Sequence, residues 1–204
     1  MTLKNVKLSL DKITKTLSTT QDSREFLLKN TREIIILCSE SIIAVHKGEL
    51  TIAKNNLKQA DILLKKYKKK ATGQLRNYLV TPEQEFVEAA CLIAIVEKKN
   101  IPSDKKLAVM PESYILGLLD CIGELKRRVF DEMRVGNIEE AVRFFEIMEA
   151  LYLQLYTFSL YDKVVKEARR KIDVNRILVE DVRSAITEEK RRTELIKALK
   201  KLEK

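Results

Sequence analysis

Apolar residues recur every three or four positions along nearly the whole chain, which is the period of an α-helix and not of a strand. Phe26, Leu27, Ile34, Leu37, Cys38 and Ile42 form the first clear stripe. Ahead of it, Asp22-Ser23-Arg24-Glu25 reads either as a capping-box-like start or as a local irregularity inside a longer helix. Gly48, after His46-Lys47, is the expected stop. A second helix is predicted over roughly 51–69, carried by Ile52, Leu57, Ala60, Leu63, Leu64 and Tyr67. Gly73 interrupts it before a short helical stretch around 75–79. Thr81-Pro82-Glu83-Gln84 then reads as an N-cap, a proline at the first helical position and a glutamine three residues after the cap. That helix should run to about Lys98, followed by a loop from Asn100 to Ser103. Pro111 opens a fifth segment that ends at Gly136, and Asn137-Ile138-Glu139-Glu140 opens a sixth through about Thr157. A break near Ser159–Asp162, with Ser159 as a cap, precedes a long basic helix toward the C-terminus.

No internal repeat and no low-complexity linker interrupts this pattern. It predicts an all-α fold: one domain over residues 1–204, a bundle of six or seven mostly long, antiparallel helices. Composition agrees, because 5 Gly and 3 Pro in 204 residues are too few for the tight turns of an all-β protein. No apolar run approaches the roughly 20 residues that span a bilayer. Met1-Thr2-Leu3-Lys4 lacks the apolar core of a secretory signal. Cys38, Cys91 and Cys121 are odd in number, lie in apolar helical text and have no metal-type spacing, which points to a reducing, cytoplasmic setting. The single histidine, His46, excludes two-histidine zinc sites and the paired Glu-x-x-His motifs of di-iron bundles.

The formal charge of +9 is unevenly spread: +2 over residues 1–51, +7 over 52–80, −5 over 81–150 and +5 over 151–204. The densest run, Lys65, Lys66, Lys68, Lys69 and Lys70 followed by Arg76, makes a polyanion such as nucleic acid a candidate partner. A plain solvated helix face explains the same run equally well.

The acidic middle carries carboxylates in apolar surroundings. Glu85 and Glu88 lie about 60° apart on the helix that starts near 82, which is otherwise apolar nearly all the way round. Asp120 and Glu124 lie about 40° apart in Tyr114–Leu125, and Arg127 continues their face. A buried charge left unpaired costs several kcal/mol, so acids in such places are expected to be paired, to bind a cation or to catalyse. Gly117 and Gly123 disfavour the helix by roughly 1 kcal/mol each relative to Ala, which suggests close approach by another helix or a ligand. Oxygen ligands without a histidine cluster favour Mg²⁺, Mn²⁺ or Ca²⁺. An i,i+3 ion pair between Glu124 and Arg127 is the plain alternative.

These segments resemble the translin and translin-associated factor X family. The resemblance rests on Gln84-Glu85-Phe86-Val87-Glu88-Ala89, on Tyr114-Ile115-Leu116-Gly117-Leu118-Leu119-Asp120-Cys121-Ile122-Gly123-Glu124-Leu125, and on Arg127 and Gly136-Asn137. Lys29–Ile34 and His46-Lys47 are similar to the family's first-helix pattern, and the likeness spans roughly 22–190. It is closer to the factor X branch and of a compact, archaeal type, with a shorter loop at 99–110.

The resemblance implies a translin-like fold and a metal-dependent endoribonuclease acting on single-stranded or short RNA. Glu85, Glu88 and Asp120 would then be catalytic, and the same three with Glu124 would ligate Mg²⁺ or Mn²⁺. Lys65, Lys66, Lys68, Lys69, Arg76 and Arg127 would contact nucleic acid. It further implies a homo-oligomeric shell, an octamer, with a translin-like second subunit as an optional partner and single-stranded DNA as a second ligand. A non-catalytic oligomeric binder of single-stranded RNA or DNA is the alternative. Phe144, Phe145, Met148, Leu151, Tyr152 and Leu155 are the apolar residues expected either at a subunit interface or in the core.

Overall fold

The first helix, α1, runs unbroken from Lys4 to His46, so Asp22–Glu25 lies inside it and marks no start. The structure, a computed structural model, describes residues 3–202. After α1 come α2 (Leu50–Lys68), α3 (Val80–Val96), α4 (Asp104–Leu107), α5 (Pro111–Arg134), α6 (Ile138–Leu155) and α7 (Ala168–Leu202). Two 3-10 segments, Gly73–Leu79 and Tyr156–Tyr161, join α2 to α3 and α6 to α7, and the described residues contain no strand.

Boundaries differ from the sequence expectation where 3-10 turns feed helices. The Gly73–Leu79 segment flows into α3 at Val80, so Thr81 does not cap it and Pro82 falls in its first turn. Asn137 stands at the N-cap position of α6 as expected but makes no side-chain cap bond; its side chain donates instead to Glu132 at 2.9 Å. Ser159 sits within the second 3-10 segment, and Asp162 accepts from the Arg169 N–H at 3.1 Å as α7 begins. Pro111, by contrast, stands at the start of α5 as its fixed φ favours. The turn α4 was not marked by periodicity, since four residues are too few to show one; Ser103 caps it by accepting from the Lys106 N–H at 3.2 Å.

α5 is the central element and packs against α3, α6 and α7, while α1 packs against α2 and α3. α3 is buried on nearly all sides, from Phe86 through Ile95, as its apolar text requires. Phe144, Phe145, Met148, Leu151 and Leu155 belong to the core, with Tyr152 packed at its edge. The core alternative is therefore the right one for these residues of α6. Cys38, Cys91 and Cys121 are free and buried in the same core.

The sharpest contact in the bundle is between α5 and α3. A Cβ on Gly117 would lie 2.5 Å from the Gln84 carbonyl oxygen and 2.6 Å from the Val87 Cβ. Both obstacles are backbone or β-branched atoms that cannot swing aside. Gly123 differs, because a Cβ there would meet nothing within 4 Å, and no helix approaches it.

A second clamp holds the acidic end of α3. Glu83 is 1% exposed, accepts from the Met110 N–H at 2.8 Å and pairs with Lys68 at 3.1 Å. The Tyr114 hydroxyl donates to the Pro102 carbonyl at 2.9 Å, fixing the connection that leads into α5. Replacement of Gly117 by Ala is expected to destabilise the protein by about 1–3 kcal/mol, despite alanine's better helix propensity, because the two helices must separate. Urea denaturation of the variant beside the unaltered protein measures this directly.

Candidate functional site

The close crossing at Gly117 brings the first turns of α3 against the middle of α5, and places four carboxylates within electrostatic reach of one another. Glu85 and Glu88 come from α3, Asp120 and Glu124 from α5. Glu88 is buried, at 8% exposure, and the other three are half-buried. Each of the α3 acids feels the charge of Asp120 and Glu124.

The two helices treat their acids differently. Asp120 is engaged on both oxygens, one accepting from the Gln84 side-chain amide and the other from the Lys171 ammonium of α7. Glu124 meets His46 Nε2 at 2.5 Å, at the last residue of α1, and the far ring nitrogen of His46 lies 3.5 Å from Asp131. The alternative Glu124–Arg127 pair does not form; Arg127 is exposed while Glu124 turns to the buried side chain of His46. Glu85 and Glu88 have no hydrogen-bond or ion-pair partner among the described side chains. Burial pushes the Glu88 carboxyl up to about 9, with Asp120, Glu85 and Glu124 adding to the rise and Lys171 opposing it. Glu85 is shifted upward as well, by burial first and then by Asp120.

Among the described residues, no three His, Cys, Asp or Glu side chains are gathered closely enough around one point to hold a metal ion as they stand. The donor chemistry nevertheless fits a hard divalent cation. All four donors are carboxylates; among the described residues two of them have no hydrogen-bond or ion-pair partner, and the other two are held by Lys171 and His46. Glu83 supplies the contrast within the same helix. Although it is more buried than Glu88, its bonds to Lys68 and to Met110 satisfy it completely.

The Translin family model matches residues 9–186. The chain belongs to the translin family. It is 42% identical over 160 residues to the uncharacterized protein MJ0175 of Methanocaldococcus jannaschii, covering 77% of this chain and 72% of that one. The solved structure of AfC3PO superposes with a TM-score of 0.82 at 33% identity, covering 89% of this chain and 97% of the other. The AfC3PO–duplex RNA complex gives a TM-score of 0.80 at 31% identity over 89% and 96% of the two chains. Apo-NeC3PO, at 23% identity and a TM-score of 0.77 over 88% and 96%, is similar in fold.

In this translin-family chain the basic residues do not act as one patch. Lys68 is half-buried and holds Glu83 and the Ala108 carbonyl, so it is a structural lysine. Lys65 pairs with Asp61 at 2.6 Å one turn back on α2. Lys66, Lys69, Arg76 and Arg127 are exposed. Lysines in the last turn of α2 also complement its C-terminal dipole, which accounts for part of the run without any ligand. No helix of the described residues is long and apolar enough to cross a membrane.

Gln84, His46 and Lys171 complete the site, and the sequence announces none of them as such. Gln84 alone had a local signal, since it stands one turn before Glu88 on the helix that carries the acids. The raised Glu88 carboxyl carries a pH signature. In the unfolded chain it ionises near the ordinary carboxylate value; in the fold it stays protonated up to about pH 9. The stability it contributes is complete below the unfolded value and is lost as pH rises toward 9. In EDTA the protein is expected to weaken steadily from about pH 5 to pH 9, and Glu88→Gln should flatten that slope; chemical denaturation at three pH values checks it.

Proposed function

We propose that this protein is a metal-dependent endoribonuclease of the factor X type, acting on single-stranded or short RNA. The observation that carries the reading is Glu88: a buried carboxyl with no partner, pushed up to about 9, beside three more acids. Glu83 demonstrates that this fold satisfies a buried acid when the acid's role is structural. The likeness to AfC3PO, solved also as a complex with duplex RNA, supports an RNA substrate.

Glu85, Glu88, Asp120 and Glu124 would hold Mg²⁺ or Mn²⁺. Such an ion supplies Lewis-acid activation of water and neutralises charge on the phosphodiester as it is attacked. The chain's own residues do the rest. Gln84 holds Asp120 in place through its amide, and His46 orients Glu124 from the end of α1. Lys171 balances the negative charge of the cluster and carries ammonium protons that a phosphate oxygen can accept. The exposed Lys66, Lys69, Arg76 and Arg127 would attract the strand at long range, with an affinity that falls as salt rises.

We further read the protein as a cytoplasmic homo-oligomer, an octamer, with a translin-like second subunit as an optional partner. Leu3, Val6, Leu10, Ile13 and Leu17 repeat at intervals of three and four along the start of α1 and are all exposed. This is the seam spacing of helix–helix association, and it continues the stripe that Leu27, Ile34 and Cys38 bury within the subunit.

A second reading, an RNA- or DNA-binding protein without nuclease activity, is favoured by one observation: Asp120 and Glu124 already have partners in Lys171 and His46. One assay separates the two. Labelled single-stranded RNA should be cleaved in Mg²⁺ and spared in EDTA, and Asp120→Asn should lower the rate at least a hundredfold while the circular dichroism spectrum stays unchanged. RNA that is bound but never cleaved in Mg²⁺ or Mn²⁺ would establish the second reading.

A further inference from the structure

Gly123 stands in the middle of α5 without a packing reason to be glycine. Its φ is helical, no neighbouring helix touches it, and a Cβ would point into open space. Glycine is the poorest ordinary residue for a helix interior, and no packing contact among the described residues accounts for its presence. The space above it is a cavity of about 230 Å³ between α5 and α7. At roughly 30 Å³ per water, that is room for about eight waters, enough for a phosphate group and part of its sugar.

The lining is specific. Asp120, one turn before Gly123, forms the wall that faces the acid cluster. Lys171 and Arg170 come from α7, and Val174 and Leu178 provide an apolar flank. Lys171 uses one ammonium proton on Asp120, which leaves two donors. Arg170 bonds Glu167 through Nε at 2.5 Å, which leaves its outer nitrogens for another acceptor. Asn175 is buried and donates to the Leu119 carbonyl at 2.8 Å, pinning α7 to the turn of α5 that carries Gly123. Two cations and one carboxylate line the cavity, and each cation is paired at one donor only, Lys171 with Asp120 and Arg170 with Glu167, so both keep donors free toward the cavity.

We propose that this cavity is a phosphodiester subsite, seating one backbone phosphate of the RNA strand beside Asp120. Lys171 and Arg170 donate to the phosphate oxygens, the apolar flank receives the sugar carbons, and the missing Cβ of Gly123 lets the strand lie against the α5 backbone. The assignment rests on the nucleic-acid reading above for its ligand class, and it sets the register of the strand relative to the acids.

The test is anisotropy with a 5′-labelled single-stranded RNA in EDTA, so that binding is read without cleavage. Gly123→Leu, which fills the cavity, should weaken binding at least tenfold. Gly123→Ala should weaken it about threefold while the melting temperature holds or rises, since alanine favours the helix and meets no neighbour. Wild-type affinity in both variants would overturn the subsite. So would a loss of affinity that light scattering traces to a changed assembly mass, because the cavity would then be a contact between copies of this chain. If wild type fails to bind RNA, the subsite and the nucleic-acid reading fall together. If wild type binds but does not cleave, and Gly123→Leu weakens that binding, the nuclease reading falls while the subsite stands.

Discussion

The arrangement depends on how closely α3 and α5 approach each other at Gly117. Any side chain there would drive into the Gln84 carbonyl and Val87, so the contact exists only because position 117 is glycine. Its consequence is electrostatic. Two helices held this near bring Glu85 and Glu88 against Asp120 and Glu124 in a poorly solvated place, where like charges oppose one another's ionisation. α1 and α7 then supply His46 and Lys171 from either side, so four of the long helices converge on one set of acids.

A fold that only needed to be stable would not retain this arrangement. Glu83 and Glu88 lie five positions apart on one helix and are both buried, yet one is fully paired and the other is bare. The pair at Glu83 clamps α2, α3 and the entry to α5, and removing either partner would leave a buried charge unmatched, at about 3–5 kcal/mol. Glu88 makes no such clamp and raises the energy of the folded state at neutral pH. Unfavourable groups of this kind concentrate where ligands bind or chemistry occurs. Asp120 and Glu124 are held differently, by the Lys171 ammonium of α7 and the His46 imidazole at the end of α1.

Much of this was legible in the sequence for a physical reason. A helix of 17 or 24 residues repeats its apolar period often enough to be read, and a proline at the start of α5 or a glycine after α1 and α5 marks a boundary by its backbone chemistry. The acids of α3 and α5 could be picked out because their helices are otherwise apolar. What could not be read were events with no period. The 3-10 segment that merges into α3 displaced the expected cap at Thr81, and α4 is a single turn. The partners of the acids were hidden by distance along the chain: His46 meets Glu124 across 78 positions and Lys171 meets Asp120 across 51. The basic run misled in part, since Lys68 looked like its neighbours but turns inward to Glu83. The apolar stripe of α6 had two readings, and only packing could choose the core.

The central claim is that the four carboxylates are kept for a divalent cation. Its most direct test is calorimetric titration of Mn²⁺ into the metal-free protein at pH 7, repeated in buffers with different ionisation enthalpies. Because burial raises the Glu88 carboxyl to about 9, a cation held by it at that pH is expected to displace a proton. The account predicts saturable binding with release of close to one proton per site, and loss of that release in Glu88→Gln. Absence of binding at millimolar Mn²⁺, or binding with no proton release from the unaltered protein, would contradict it.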